Sequence, residues 1–262
     1  MKIGILTSGG DCPGLNAVIR AVVRKAEQLK FETVGITNGW KGLFDESYKP
    51  LDLLSVAGII NRGGTILGTS RFNPFTEKNG SDTLQHKIAK ERFDAIIAIG
   101  GEGSMHIAQQ AFELGINVIG VPKTIDNDIY GTDYTFGFDT AVQIATEAID
   151  RLHTTAESHH RIMILEVMGR HAGWIALYSG IAGGADVVII PEKKIKIESV
   201  CEVLKSRYVR GKLFSIIVVA EGAQFLEDEM EKVDPNRKLD DFGRARLGGI
   251  SNFLAEEIEK RT

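Results

Sequence analysis

Apolar residues along this chain fall into short blocks separated by longer amphipathic stretches. Residues 3–6, 33–36, 95–99, 118–121, 162–167, 187–190 and 215–220 are almost wholly apolar and are bounded by glycine or polar turns, as strands buried on both faces would be. Between them, 15–29, 105–114, 139–152, 172–181, 199–207 and 250–260 carry apolar side chains three and four positions apart, which predicts helices. Strand followed by helix, repeated, predicts an α/β protein: two Rossmann-like lobes with mostly parallel sheets flanked by helices, and an active site in the cleft between them. At 262 residues the chain can form two cores. No Pro/Ser-rich linker divides it, but the polar, turn-rich stretch 130–138 sets a boundary, giving lobes 1–138 and 139–262. The segment 224–246, with Glu227, Asp228, Glu229, Glu231 and Lys232 ahead of Asp234-Pro235-Asn236, reads as a solvated insertion with little packing of its own.

Composition narrows the function classes. Hydrophobic residues at 43% and charged residues at 25% fit a globular protein, and 29 glycines against 6 prolines fit many tight strand-to-helix turns. A net charge of -4 with no basic stripe argues against nucleic acid or an anionic membrane as partner. The apolar run at the N-terminus is too short for a signal peptide, and no stretch approaches a membrane span, so a cytoplasmic protein is expected. Cys12 and Cys201 lack metal-ligand spacing and read as free thiols in a reducing compartment, without structural zinc.

Three polar clusters directly follow predicted strands, where open α/β sheets bind ligands. Gly9-Gly10-Asp11, with Pro13-Gly14, opens a helix; it reads equally as a phosphate site on helix N–H groups and as a tight turn that needs glycine. Gly100-Gly101-Glu102-Gly103-Ser104 is the stronger phosphate loop, because its glycines permit close backbone approach and Glu102 offers a hard oxygen to Mg²⁺. Pro122-Lys123-Thr124-Ile125-Asp126-Asn127-Asp128 puts two carboxylates, an amide and an ammonium within a few residues. One carboxylate can accept a hydroxyl proton, the other can organise its neighbours or a metal, and Lys123 can neutralise a transferring phosphoryl group.

Further on, Arg161 precedes a predicted strand and Glu166-Val167-Met168-Gly169-Arg170 ends it. An arginine pair flanking one strand can hold a phosphate from two directions, while either arginine alone reads as a solvated surface charge. Glu221, after the last strand, suits either hydroxyl recognition or a cap or salt bridge, and His159 and His160 read as surface histidines.

Five runs, 4–17, 61–72, 100–104, 122–128 and 166–173, together with Glu221, resemble the phosphofructokinase family in that order along essentially the whole chain. The resemblance implies phosphoryl transfer to the 1-hydroxyl of fructose 6-phosphate, giving fructose 1,6-bisphosphate in glycolysis, with Asp126 as the base. It assigns Thr124, Asp128 and Arg170 to holding the reacting groups. Gly10, Arg71, Phe72, Gly101, Glu102, Gly103, Ser104 and Lys123 go to the phosphate-donor site, with Mg²⁺ on Glu102. Thr124, Ile125, Asp126, Met168, Gly169, Arg170 and Glu221 go to the fructose 6-phosphate site, and Arg161 matches an arginine that reaches a neighbouring subunit. A homo-oligomer, tetramer or dimer, is implied in the same way.

The sequence departs from the family pattern in four places. Glu102 stands where aspartate is usual. The donor signature is mixed: Gly103 matches ATP-dependent members, whereas Lys123 matches pyrophosphate-dependent ones, so ATP is the expected donor and pyrophosphate the alternative. Of the effector residues, Arg20, Arg24, Arg210 and Lys212 are present, while Leu53, His153 and Asp186 replace other side chains. The family's closing strand and its His/Arg segment would follow residue 262, so the chain reads as C-terminally truncated, and a non-catalytic nucleotide- or sugar-phosphate-binding fragment is the rival reading.

Overall fold

The computed structural model describes residues 1–226 and 248–262. These divide into two compact units, Met1–Ile125 with Ile129–Gly137, and Asp126–Asp128 with Phe138–Thr262.

The first unit contains β1 (Lys2–Ser8), α1 (Leu15–Gln28), β2 (Glu32–Ile36), α2 (Lys41–Phe44), β3 (Tyr48–Leu51), α3 (Gly80–Glu91), β4 (Ala95–Gly100), α4 (Glu102–Glu113), β5 (Val118–Thr124) and β6 (Phe136–Gly137). Its sheet runs β3-β2-β1-β4-β5-β6. Every pair is parallel except β2 with β3. Successive strand residues face opposite sides: Leu6, Ile36, Ile96 and Ala98 pack with Leu84, Ile88, Ile107 and Ala111 of α3 and α4. Ile5 and Ile99 instead join Leu15, Ile19 and Val23 of α1. That two-sided burial explains the unbroken apolar runs in the sequence.

In the second unit, α5 (Phe138–His159) precedes β7 (Ile162–Val167), α6 (Trp174–Ala182), β8 (Val187–Ile189), α7 (Ile197–Val209), β9 (Ser215–Ala220) and, after the undescribed residues, α8 (Ile250–Arg261). β9 lies between β7 and β8, parallel to both. Its Ile216, Val218 and Ala220 face α5 and α6, and its Ile217 and Val219 face α7 and α8.

The differences from the sequence expectations have local causes. α4 starts at Glu102, not 105, because Gly101 serves as its N-cap and an acidic residue in the first turn suits the positive helix end. α5 runs on to His159 rather than 152, and in that polar extension Ala156 is the residue held in the core. β3, with Pro50 inside it, is an edge strand, where a proline costs no ladder hydrogen bond to a further strand. α3 was not foreseen; few of its residues are apolar, with Leu84 and Ile88 one turn apart in the core. The expected insertion 224–246 lies outside the described residues from 227 onward. At its start Phe225 is fully buried and bridges to Ile195, so that end is packed rather than solvated.

Candidate functional site

In the first unit, the chain passes from β1 through α1 to β2 on one side and then returns to place β4 on the other side of β1. The strand order therefore reverses between β1 and β4, the position where α/β sheets bind ligands at the carboxyl ends of their strands. The register brings Ser8 opposite Gly100, and Gly100 opposite Pro122. Three polar stretches far apart in sequence, starting at Gly9, at Gly100 and at Pro122 as far as Ile125, thus line one edge of one sheet.

Backbone amides and open space dominate this edge. Gly101 is extended and caps α4, with the Ser104 and Met105 N–H groups donating to its carbonyl at 2.9 and 3.0 Å. A Cβ built on Gly10 or on Gly103 would meet no atom within 4 Å. Space is therefore open beside both loops at the N-terminus of α4, which suits a polyphosphate chain. Ser104 is buried, whereas Glu102 is exposed in the first helical turn, facing solvent where a metal with its own waters could bind. Among the described residues no cluster of three or more His, Cys, Asp or Glu side chains forms a closed metal site. A single carboxylate fits Mg²⁺, which keeps several waters and takes its other ligands from substrate phosphates.

Lys123 is 5% exposed, and its Nζ donates to the Gly10 carbonyl at 2.5 Å. Thr124 is also buried, and its carbonyl accepts from Thr135 Oγ1 at 2.8 Å. Cys12 lies in the same turn, its Sγ donating toward the Pro13 carbonyl at 3.2 Å. Burial pushes the Cys12 thiol up to about 11, with the Lys123 ammonium pulling the other way.

The segment 62–72 is pinned over this turn. Thr7 Oγ1 donates to the Gly68 carbonyl at 2.7 Å and lies 3.0 Å from Thr65 Oγ1. Thr69 Oγ1 donates to the Gly9 carbonyl at 2.7 Å, and the Gly9 N–H donates to the Ser70 carbonyl at 2.9 Å. Arg71 then emerges exposed, while Phe72 packs edge-on against Phe44 at 4.9 Å between ring centres. None of these hydroxyl bonds was foreseen, and the visible signal was a run of Thr and Ser beside glycines.

The chain continues through Ile125 into Asp126, Asn127 and Asp128, which group with the second unit. Asn127 adopts a left-handed conformation with φ 52°, a tight turn that asparagine tolerates. Asp126 is half-buried and Asp128 exposed.

In the second unit, register sets Val167 beside Ala220, so the loops after β7 and β9 meet. Glu221 N–H donates to the Val167 carbonyl at 2.8 Å and Gly222 N–H to the Gly169 carbonyl at 3.0 Å. Gly169 has φ 148°, and a Cβ there would meet the Ala172 carbonyl oxygen at 2.7 Å, so the turn requires glycine. Met168 is 55% exposed. Burial holds the Glu221 carboxyl above its usual range, against the pull of the Arg170 guanidinium. Glu166, unassigned by the sequence reading, accepts from Gly249 N, Ser251 N and Ser251 Oγ at 2.9, 3.0 and 2.7 Å, capping α8.

One expectation fails here. Arg161 and Arg170 do not hold one phosphate from two directions, because six residues of β7, roughly 20 Å of extended chain, separate them. Arg161 lies at the amino end of β7, remote from Met168, Gly169, Arg170 and Glu221. Two of the three replaced effector positions have internal partners: Asp186 pairs with Arg207 at 2.7 Å and accepts from Ile216 N at 2.9 Å, and His153 Nε2 lies 2.9 Å from the Gly183 carbonyl, whereas Leu53 is exposed. Among the described residues no helix is long and apolar enough to cross a membrane.

The family model for phosphofructokinase matches residues 2–262. A pyrophosphate--fructose 6-phosphate 1-phosphotransferase of Streptomyces coelicolor is 53% identical over 264 residues, covering 100% of this chain and 76% of its own. An ATP-dependent 6-phosphofructokinase 3 of the same organism is 51% identical over 262 residues, with the same two coverages of 100% and 76%. The solved phosphofructokinase of Saccharomyces cerevisiae superimposes with a TM-score of 0.82 at 30% identity, over 99% of this chain and 36% of that one.

Proposed function

This chain belongs to the phosphofructokinase family, and from that premise we propose that it transfers a phosphoryl group from ATP to the 1-hydroxyl of fructose 6-phosphate. In this reading Asp126 accepts the hydroxyl proton as the sugar oxygen attacks the terminal phosphorus, and ADP leaves with the electrons of the broken P–O bond. The β1 and β4 turns bind the donor through backbone N–H groups at Gly10, Gly101 and Gly103, with Ser104, Arg71 and Phe72 beside them. Lys123, Thr124 and Arg170 stabilise charge on the transferring group, and Asp128 orders the loop that carries the base. Ile125, Met168, Gly169 and Glu221 bind the sugar phosphate. Mg²⁺, held by Glu102 and the donor's phosphates, would neutralise the polyphosphate charge. Arg161, remote from the other sugar residues, would serve a second copy's sugar phosphate in a homo-oligomer.

The observation that carries ATP is the open space beside Gly103. An aspartate in that place would put a carboxylate against the donor's phosphates, whereas glycine leaves room for a nucleotide. Pyrophosphate is the second reading, favoured by Lys123 and by the 53% identity to a pyrophosphate-dependent relative.

The test is turnover with ATP and Mg²⁺ against pyrophosphate and Mg²⁺, repeated with Gly103→Asp and Asp126→Asn. ATP is expected to yield fructose 1,6-bisphosphate. Gly103→Asp should lower the ATP rate far more than any pyrophosphate rate, and Asp126→Asn should abolish turnover while fructose 6-phosphate still binds. Turnover with pyrophosphate alone would replace the donor assignment. Retained turnover in Asp126→Asn would remove the base assignment, and ligand binding without turnover in the unaltered chain would favour the non-catalytic reading.

A further inference from the structure

Asn16 is the one amide among the buried side chains of α1, which are otherwise Leu15, Ile19, Val23 and Ala26. At 1% exposure it would leave both halves of its amide unsatisfied if it found no partners. Its Nδ2 donates to the carbonyls of Arg62 and Gly63 at 3.0 and 3.4 Å, and its Oδ1 accepts from the Ile66 N–H at 2.8 Å. Those three bonds run from a helix to a loop some fifty residues away, and they span the tight turn at Gly64, whose φ is 66°.

We infer that Asn16 is a positioning residue for the phosphate donor: it clamps the amino end of the segment 62–72, whose far end presents Arg71 and Phe72. This rests on the donor-site reading given above. The other end of the segment is fastened separately, by Thr7 to Gly68 and by Thr69 and Ser70 to Gly9. The two fastenings make one rigid bridge from the start of α1, across the segment, to the glycine turn after β1. Asparagine suits the position because an amide alone can give two N–H bonds to carbonyls and accept one from an N–H in the same plane. A carboxylate would face two carbonyl oxygens, and an apolar side chain would leave all three backbone groups without partners. All three partners of the clamp, Arg62, Gly63 and Ile66, belong to the first unit, so its loss should weaken the donor and spare the sugar.

The experiment uses Asn16→Ala and, as a milder change on the other fastening, Thr69→Val. Affinities of MgATP, of Mg-pyrophosphate and of fructose 6-phosphate are titrated directly, and amide hydrogen exchange is followed across 62–72 and 15–28. Each variant should weaken whichever donor binds the unaltered chain by about tenfold, the equivalent of about one net hydrogen bond. Fructose 6-phosphate affinity should stay within about twofold, less than the loss of one typical hydrogen bond. Exchange should accelerate in 62–72 and stay slow in 15–28. Unchanged donor affinity in both variants, or equal weakening of donor and sugar, would overturn the inference while leaving the donor site intact. If Asn16→Ala does not fold, Asn16→Asp, which keeps the bond from the Ile66 N–H and loses the two to carbonyls, takes its place with the same expected results. Failure of the unaltered chain to bind either donor would instead sink the donor reading, and the inference with it.

Discussion

The ammonium of Lys123 and the carbonyl of Gly10, 113 positions apart, are joined at 2.5 Å. The bond ties the end of β5 to the turn after β1 across the intervening β4. Lys123 therefore has a mechanical role in the donor turn as well as a charge to offer a polyphosphate.

Replacing Lys123 with methionine keeps the buried stem and removes the donor. The Gly10 carbonyl is at an exposed turn and can go over to water, so the loss of this one bond should cost about 1 kcal/mol. Donor binding, which loses both the charge and the fixed turn, should weaken at least about tenfold, with the fructose 6-phosphate KM unmoved. Urea unfolding and initial rates at varied donor and sugar check the two halves. A sugar KM that rises in step with the donor KM would show that Lys123 supports more than the donor turn.

Cys12 gives a pH dependence. Its thiol is raised from 9.0 to about 11, chiefly by burial, so between those values the unfolded chain is deprotonated while the folded one is not. Its contribution to stability is complete below about 9 and is lost as the pH rises through about 11. The melting temperature should therefore drop more steeply from pH 9 to pH 11 in the unaltered chain than in Cys12→Ala. Tyr48, pushed up to about 12 by burial, falls in the same direction but is present in both proteins. Equal slopes would show that the thiol titrates freely in the folded state.

How much of this was legible beforehand depends on the range of the interaction. β9 was found to the residue, because a strand buried on both faces writes its burial as an unbroken apolar run; β7 was found to the residue too, although its side chains are only half-buried and Glu166 interrupts the run. The glycine turns and the acidic loop were visible because chemistry concentrated them in short windows. The clamp at Asn16 was not, since one asparagine in a helix is ambiguous until the loop at Arg62 is folded onto it. β3 was hidden by Pro50, and α3 by having few apolar residues. Pairing Arg161 with Arg170 failed because flanking one strand in sequence means opposite ends in space.

Gly222 makes the sharpest steric claim on the second unit. A Cβ at this position would land on the Arg170 carbonyl and come within 2.7 Å of the Gly169 carbonyl oxygen. Both obstacles are backbone, and Gly222 N–H also bonds the Gly169 carbonyl at 3.0 Å, so the two loops cannot part without losing that bond. Gly222→Ala should therefore push the Met168–Gly169–Arg170 turn out of place, at an overpacking cost of about 1–3 kcal/mol. Arg170 moves with its backbone, and the half-buried Glu221 beside it loses the guanidinium that opposes its burial. The expected result is a fructose 6-phosphate affinity at least about tenfold weaker, with MgATP binding unchanged. Direct titration of both ligands checks it, because a general loss of folding would weaken both. Unchanged sugar affinity in a folded Gly222→Ala protein would show that the turn after β7 does not bind the sugar phosphate.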